Sequence, residues 1–283
     1  MMEHVTHTRG KEAGTPGYIW PMTSFDPKAY WEQRLERSTG LEGVGYIGLG
    51  QPFNAWMYRV RRRTFKRIVS LHMPSRAGRA VLDVGSGTGE YLRSWSELGT
   101  ASITGTDITN TAVDRLRAAH PEMTIFQMDI SAGDAPVSGD YDAVSCMDVL
   151  FHIVDDERFA QALHNLRRAL KPGGLLFLSD NFQHEKTRHQ EHFVNRSLAE
   201  YEAALGRAGL RVVARRPMFH LLNRPTDSNS KLLHRWWGLV SRICARSHVA
   251  GGVLAALVYP LELLLVGSRR EGVSTEIMVL SPA

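Results

Sequence analysis

The sequence predicts an α/β fold in which an open, mostly parallel sheet carries helices on both faces. Three observations lead there. Short apolar runs alternate with segments of helical periodicity, a pattern that calls for parallel strands joined by right-handed crossovers. Several runs end in an acid, at Asp107, Asp129 and Asp148, which gathers carboxylates at the sheet edge where open α/β folds bind ligands. The first run, Val81-Leu82-Asp83-Val84, feeds Gly85-Ser86-Gly87-Thr88-Gly89. Alternate glycines permit a tight turn and let a ligand approach the backbone, the recipe for a nucleotide-type cofactor at a helix N-terminus.

Residues 1–22 lack periodicity and the apolar core of a signal peptide, so they read as a disordered leader, and Met22 offers a second start. Asp26 and Pro27 have the N-cap and first-turn chemistry of a helix. A glycine-rich loop at 40–50 is placed to fold over the cofactor edge, with Tyr46, Asn54, Trp56 and Tyr58 as candidates for substrate contact. Met57, Val60, Thr64, Phe65, Ile68 and Leu71 recur at helical spacing, which puts Arg59, Arg61, Arg62, Arg63, Lys66 and Arg67 mostly on the opposite, solvated face. Residues 23–75 therefore form a helical N-terminal cap and 76–283 the main domain.

Within that domain, Asp107 closes a second strand 24 residues after Asp83, leaving room for one crossover helix, and an acid there can accept both hydroxyls of a ribose. Third and fourth strands are expected at 123–128 and 142–147, a fifth after Lys171-Pro172-Gly173-Gly174, a sixth at 210–214 and a last at 274–280. Ser197 and Glu200 have capping-box spacing at a helix start. An insertion at about 221–270 separates the sixth and last strands and carries its own helices. Its apolar run, 249–266, is shorter than a membrane span and contains Pro260 and Glu262. It can be a helical pair packed on the sheet edge or on a subunit partner, a lid, or a membrane-surface helix.

The motifs 83–89, 141–153 and 170–178 together resemble those of class I S-adenosyl-L-methionine-dependent methyltransferases of small-molecule type. The resemblance implies a Rossmann-like seven-stranded, mostly parallel sheet with an antiparallel last strand, here with the helical N-terminal cap and the helical insertion between strands six and seven. It implies S-adenosyl-L-methionine as cofactor, held by Asp83, Gly85, Ser86, Gly87 and Gly89 at its aminoacyl part, by Asp107 and Ile108 at ribose and adenine, by Asp129 and Ile130 at adenine, and beside Met147. A dinucleotide oxidoreductase fits less well, because its fingerprint puts two residues between the second and third glycines, whereas Gly85, Gly87 and Gly89 alternate.

Methyl transfer needs an aligned nucleophile and often a base. His152, after the fourth strand, and His184, His189 and His192, in a polar loop after the fifth, are the catalytic candidates, with Asp148 or Asp180 to orient one; no metal site is expected. The expected reaction is O-methylation of a small-molecule acceptor, with N- or C-methylation of a small or lipid-like acceptor, or a non-catalytic cofactor-binding subunit, as alternatives. The formal charge of +5 permits an acidic partner, but no nucleic-acid module accompanies it and Cys146-Met147-Asp148-Val149 lacks the Pro-Pro-aromatic signature of base methylation. Two cysteines, one in a buried strand and one in a distant helix, favour a reducing, cytoplasmic setting. Peripheral membrane contact through the insertion and homodimerisation are the larger-partner expectations.

Overall fold

A computed structural model describes residues 25–38, 40–184, 188–190 and 193–283. The expected leader and its second start at Met22 lie outside them. The chain opens with α1 (Pro27–Arg37), capped as expected by the Asp26 carboxylate, which accepts from the backbone N–H groups of Lys28 and Ala29. A short α2 (Leu41–Val44) and the long α3 (Gly50–His72) follow. The sheet then builds through β1 (Ala80–Val84), α4 (Glu90–Glu97), β2 (Ser102–Asp107), α5 (Asn110–Ala119), β3 (Thr124–Gln127), β4 (Tyr141–Met147), α6 (Asp156–Ala169) and β5 (Leu170–Asp180). A hairpin of β6 (Arg188–Gln190) and β7 (Phe193–Asn195) precedes α7 (Leu198–Arg207) and β8 (Leu210–Pro217). The insertion supplies α8 (Lys231–Arg246) and α9 (His248–Ser268), and β9 (Glu276–Pro282) ends the chain.

The sheet has seven strands in the order β3-β2-β1-β4-β5-β9-β8. β1 to β5 are parallel, and β9 runs antiparallel to both its neighbours, β5 and β8. Strands covered on both faces become continuous apolar runs, and Val81, Leu82, Ala143, Val144, Leu176, Phe177 and Leu178 are fully buried. One face packs on a core containing Phe159, Leu163 and Tyr201, the other on a core containing Phe65, Trp95 and Phe219. The capping box at Ser197 and Glu200 is present.

Four expectations change. Residues 188–190 and 193–195, expected as part of a loop, pair as antiparallel strands with Val194 buried. Leu71, expected on the apolar face, is 66% exposed at the last turn of α3. Arg61 is turned inward, its side chain only 12% exposed, because a carboxylate and two aromatic rings receive it. The apolar run of the insertion grows into a helix of 21 residues, because the Ser247 cap starts it at His248 and nothing stops it before Ser268.

Candidate active site

β1 ends against a turn that must reverse into α4, and the three glycines take left-handed φ values of 71° (Gly85), 51° (Gly87) and 81° (Gly89). Side chains strain there, and at Gly85 a Cβ would also fall 2.3 Å from the Val149 side chain. Over the turn lies the cap, with Val44 Cγ1 3.2 Å from where a Gly87 Cβ would stand. The Asp107 carboxylate, at the tip of β2, accepts from the Gly87 N–H (2.9 Å), the Thr109 N–H (3.0 Å) and the Thr109 hydroxyl (2.7 Å). Burial still raises its pKa.

Asp83 is fully sequestered beneath the turn. Its Oδ1 accepts from the Ser145 hydroxyl at 2.5 Å, and that hydroxyl accepts from Trp95 Nε1 at 2.9 Å. Its Oδ2 has no hydrogen-bond partner among the described residues, and burial, with the nearby Asp107 charge, pushes the carboxyl up to about 7 despite the Ser145 and Ser86 hydroxyls. A buried acceptor left unsatisfied costs roughly 1–3 kcal/mol, so this oxygen favours a donor that none of the described residues supplies. The ammonium of S-adenosyl-L-methionine is such a donor, and the glycine cradle and Asp107 stand beside it.

The remaining cofactor candidates divide. Ile108 is half-buried, and its carbonyl accepts from Gln127 Nε2 at 2.9 Å. Asp129 is already held by the Arg158 guanidinium and by the Ser131 N–H and hydroxyl at 2.9 and 2.6 Å. Ile130, 4% exposed, belongs to the core with Val84, Met128 and Leu150, and Met147 is 5% exposed. Sequence reasoning missed Glu32. Its carboxylate on α1 accepts from the Asn110 and Thr111 N–H groups at 2.9 and 2.7 Å, satisfying two donors of the first turn of α5 that the Thr109 cap leaves open and tying the cap down beside Asp107.

A second polar cluster lies past β4. Asp148 has φ 60°, the one left-handed non-glycine residue among those described. Its N–H donates to the Ser179 carbonyl (3.1 Å), its Oδ1 accepts from the Ser179 hydroxyl (3.1 Å), and its Oδ2 pairs with Arg61. The Arg61 guanidinium stands 5.0 Å from the Phe219 ring and 5.6 Å from that of Tyr58. Burial pushes the hydroxyls of Tyr58 and Tyr91 up to about 12, so both remain protonated donors. Tyr46 joins this side through its hydroxyl, 3.0 Å from Asn223 Oδ1. Asn54 does other work: its amide holds the Tyr46 and Gly50 carbonyls at 2.8 and 2.9 Å. Trp56 packs on Tyr259 of α9 beneath Arg59.

His152 is half-buried between the edge of the Trp31 ring (centroids 4.8 Å apart) and Phe151 (4.1 Å). His184 is exposed and pairs with Asp227. His189 is placed in β6, and His192 lies outside the described residues. Asp180 is buried and bound by the Tyr201 hydroxyl, with burial raising it to about 7 against that bond.

Residues 81–174 match the methyltransferase domain family. The ubiquinone biosynthesis O-methyltransferase of Albidiferax ferrireducens is 34% identical over 113 residues, 38% of this chain and 43% of the relative. Its namesake from Xanthomonas oryzae is 40% identical over 107 residues, 36% and 43% of the two chains. The matched region thus spans less than half the length of these curated relatives. Among solved structures, magnesium protoporphyrin IX methyltransferase from Synechocystis, crystallised with bound SAM, covers 69% of this chain and 91% of its own at TM-score 0.51 and 19% identity. The [4+2]-cyclase SpnF covers 77% and 79% at TM-score 0.51 and 18% identity. These two likenesses concern the fold.

Proposed function

From the premise that this chain carries a class I S-adenosyl-L-methionine-dependent methyltransferase domain, we propose that it transfers a methyl group to a hydroxyl oxygen of a small-molecule acceptor. The observation that carries the proposal is the pairing, at one sheet edge, of a glycine cradle over an unpartnered buried carboxylate oxygen with a separate donor cluster past β4. The names of the O-methyltransferases that match a third or more of the chain support oxygen as the acceptor atom.

When bound, S-adenosyl-L-methionine supplies an electrophilic methyl group on a sulfonium. The chain's work is to orient and deprotonate. Asp83, Asp107 and the turn at 85–89 would hold the cofactor, while Glu32 and Val44 keep the cap over the cleft and water out. Tyr58, Arg61 and Tyr91 present donors and one cation to the acceptor, and Asp148 holds Arg61 in place. His152, beside the end of β4, would take the acceptor's proton; its Trp31 and Phe151 neighbours fix the ring.

The test is isotope-labelled methyl transfer from the cofactor to a panel of phenolic acceptors, with the product's methyl resonance read by NMR. A methoxyl resonance is expected, and an N- or C-methyl resonance would move the reading to its alternative. His152→Ala should lower turnover roughly a hundredfold and spare S-adenosylhomocysteine affinity. Unchanged turnover would remove histidine from the mechanism and leave positioning to do the work. Free, buried Cys146 and Cys244 support a cytoplasmic setting. Of the larger partners expected for the insertion, a membrane surface is better supported than a second copy of the chain, because exposed cations bracket the bare face of α9.

A further inference from the structure

The outer face of α9 is apolar and bare. Val249, Val253, Leu257, Leu261 and Leu264 are 49–75% exposed, and their spacing of four, four, four and three residues lines them along one side of the helix. Between His248 and Ser268 the only charged side chain is Glu262, and it is fully buried. Its carboxylate accepts from the backbone N–H groups of His220 (2.8 Å) and Leu221 (2.6 Å), which locks the inner face to the body. Small residues complete the lock: a Cβ on Gly252 would stand 2.6 Å from Pro52 of α3, and one on Gly251 2.5 Å from Cys244 Sγ of α8. A helix so fastened cannot give all its sides to lipid, although its length and composition would allow a span. The five exposed side chains leave the other side of the helix uncovered, and that side needs an occupant.

The rim identifies the occupant. Arg246 at one end, Arg269 and Arg270 at the other, and Lys231, Arg235 and Arg242 on α8 are exposed; α8 contains no acidic residue, and the exposed Glu271 beside Arg270 is paired with Arg215. A second copy docking by a two-fold axis would bring the same patch against itself and set arginines on arginines. An anionic bilayer satisfies both parts, acyl chains under the leucines and headgroup phosphates at the arginines. We propose that α9 lies flat in the surface of an anionic membrane, about 32 Å of helix seated by its leucine stripe and held by its basic ends. The proposal is independent of the reaction.

The test is co-sedimentation of the full chain with vesicles of equal parts phosphatidylglycerol and phosphatidylcholine, and with phosphatidylcholine alone. Binding is expected to the mixed vesicles, with release by salt. Arg269→Gln with Arg270→Gln should weaken it about fivefold per arginine, and Leu257→Gln with Leu264→Gln at least about tenfold. Unchanged thermal unfolding by circular dichroism shows that each variant is folded. The proposal is overturned if the chain ignores both vesicle types at low salt. It is equally overturned if the leucine pair instead dissolves a dimer seen by sedimentation, or if only detergent extracts the chain.

Discussion

Asp83 and Asp148 belong to neighbouring strands, yet their surroundings are opposite. Asp83 is buried with one oxygen unpartnered and a pKa near 7, whereas both oxygens of Asp148 are engaged, by Arg61 and Ser179. On the proposed reading, the cofactor side is thus a socket for a cation from outside the chain, and the acceptor side already contains its own. A ligand entering the first completes a set of hydrogen bonds; one entering the second must share or replace one. Binding energy should therefore concentrate on the cofactor side, and selectivity on the acceptor side.

The largest test of that contrast is Asp107→Ala. Losing charge-assisted bonds and loosening the Gly87 turn should weaken S-adenosylhomocysteine binding by about 2 to 4 kcal/mol, read by calorimetry. Unchanged affinity would remove Asp107 from the ribose. Next is Arg61→Met. It leaves the Asp148 carboxylate, a quarter exposed, without its cation, and stability should fall by about 1–3 kcal/mol, less than the 3–5 of a fully buried pair. Turnover should fall with it while cofactor affinity holds; a parallel loss of affinity would mean that the two sides are one site.

A smaller effect distinguishes the carboxylates by pH. Asp83 titrates near 7 when folded and about 4 when unfolded, so its contribution to stability is whole below about pH 4 and is lost as pH rises through 7. Asp142 behaves in the opposite sense. Against a burial that would raise it, the Lys171 ammonium, the Ala80 N–H and the Arg79 guanidinium hold it at about 2, so its contribution is present above about pH 4 and is lost as pH falls through 2. Asp83→Asn should flatten the neutral limb of Tm against pH and leave the acid limb intact. The smallest change expected is Asp129→Ala, about 1 kcal/mol in cofactor affinity, because Arg158 and Ser131 already compete for that carboxylate. A loss as large as that of Asp107→Ala would give adenine recognition equal weight.

The contrast also governs what could be read from the chain. Gly85, Gly87 and Gly89 were legible because glycine takes left-handed backbone angles without the strain a side chain adds, and Asp107 because a strand end and a crossover length position it. Asp26 and Ser197 were legible because capping is local chemistry. Arg61 was misjudged because its partner, Asp148, is 87 residues away. A signal existed: Arg61 lies four residues before Phe65 and seven before Ile68, on the buried face of α3. Glu262, alone in an apolar run, was the matching signal in the insertion, since an isolated acid there needs donors that only distant backbone supplies. The hairpin at β6 and β7 depends on pairing and left no periodic trace in so short a stretch.

The position of β9 governs how the protein is made. This strand, Glu276–Pro282, is interior, lying between β5 and β8. Until it leaves the ribosome, β5 presents an open edge and β8 has no neighbour in the sheet, so the nascent chain must carry one open edge and one unpaired strand while the whole insertion is synthesised. Contacts of such long sequence separation close slowly. A chain truncated before Glu276 would therefore lack the seam of the sheet, and the product would be material for chaperones and proteases.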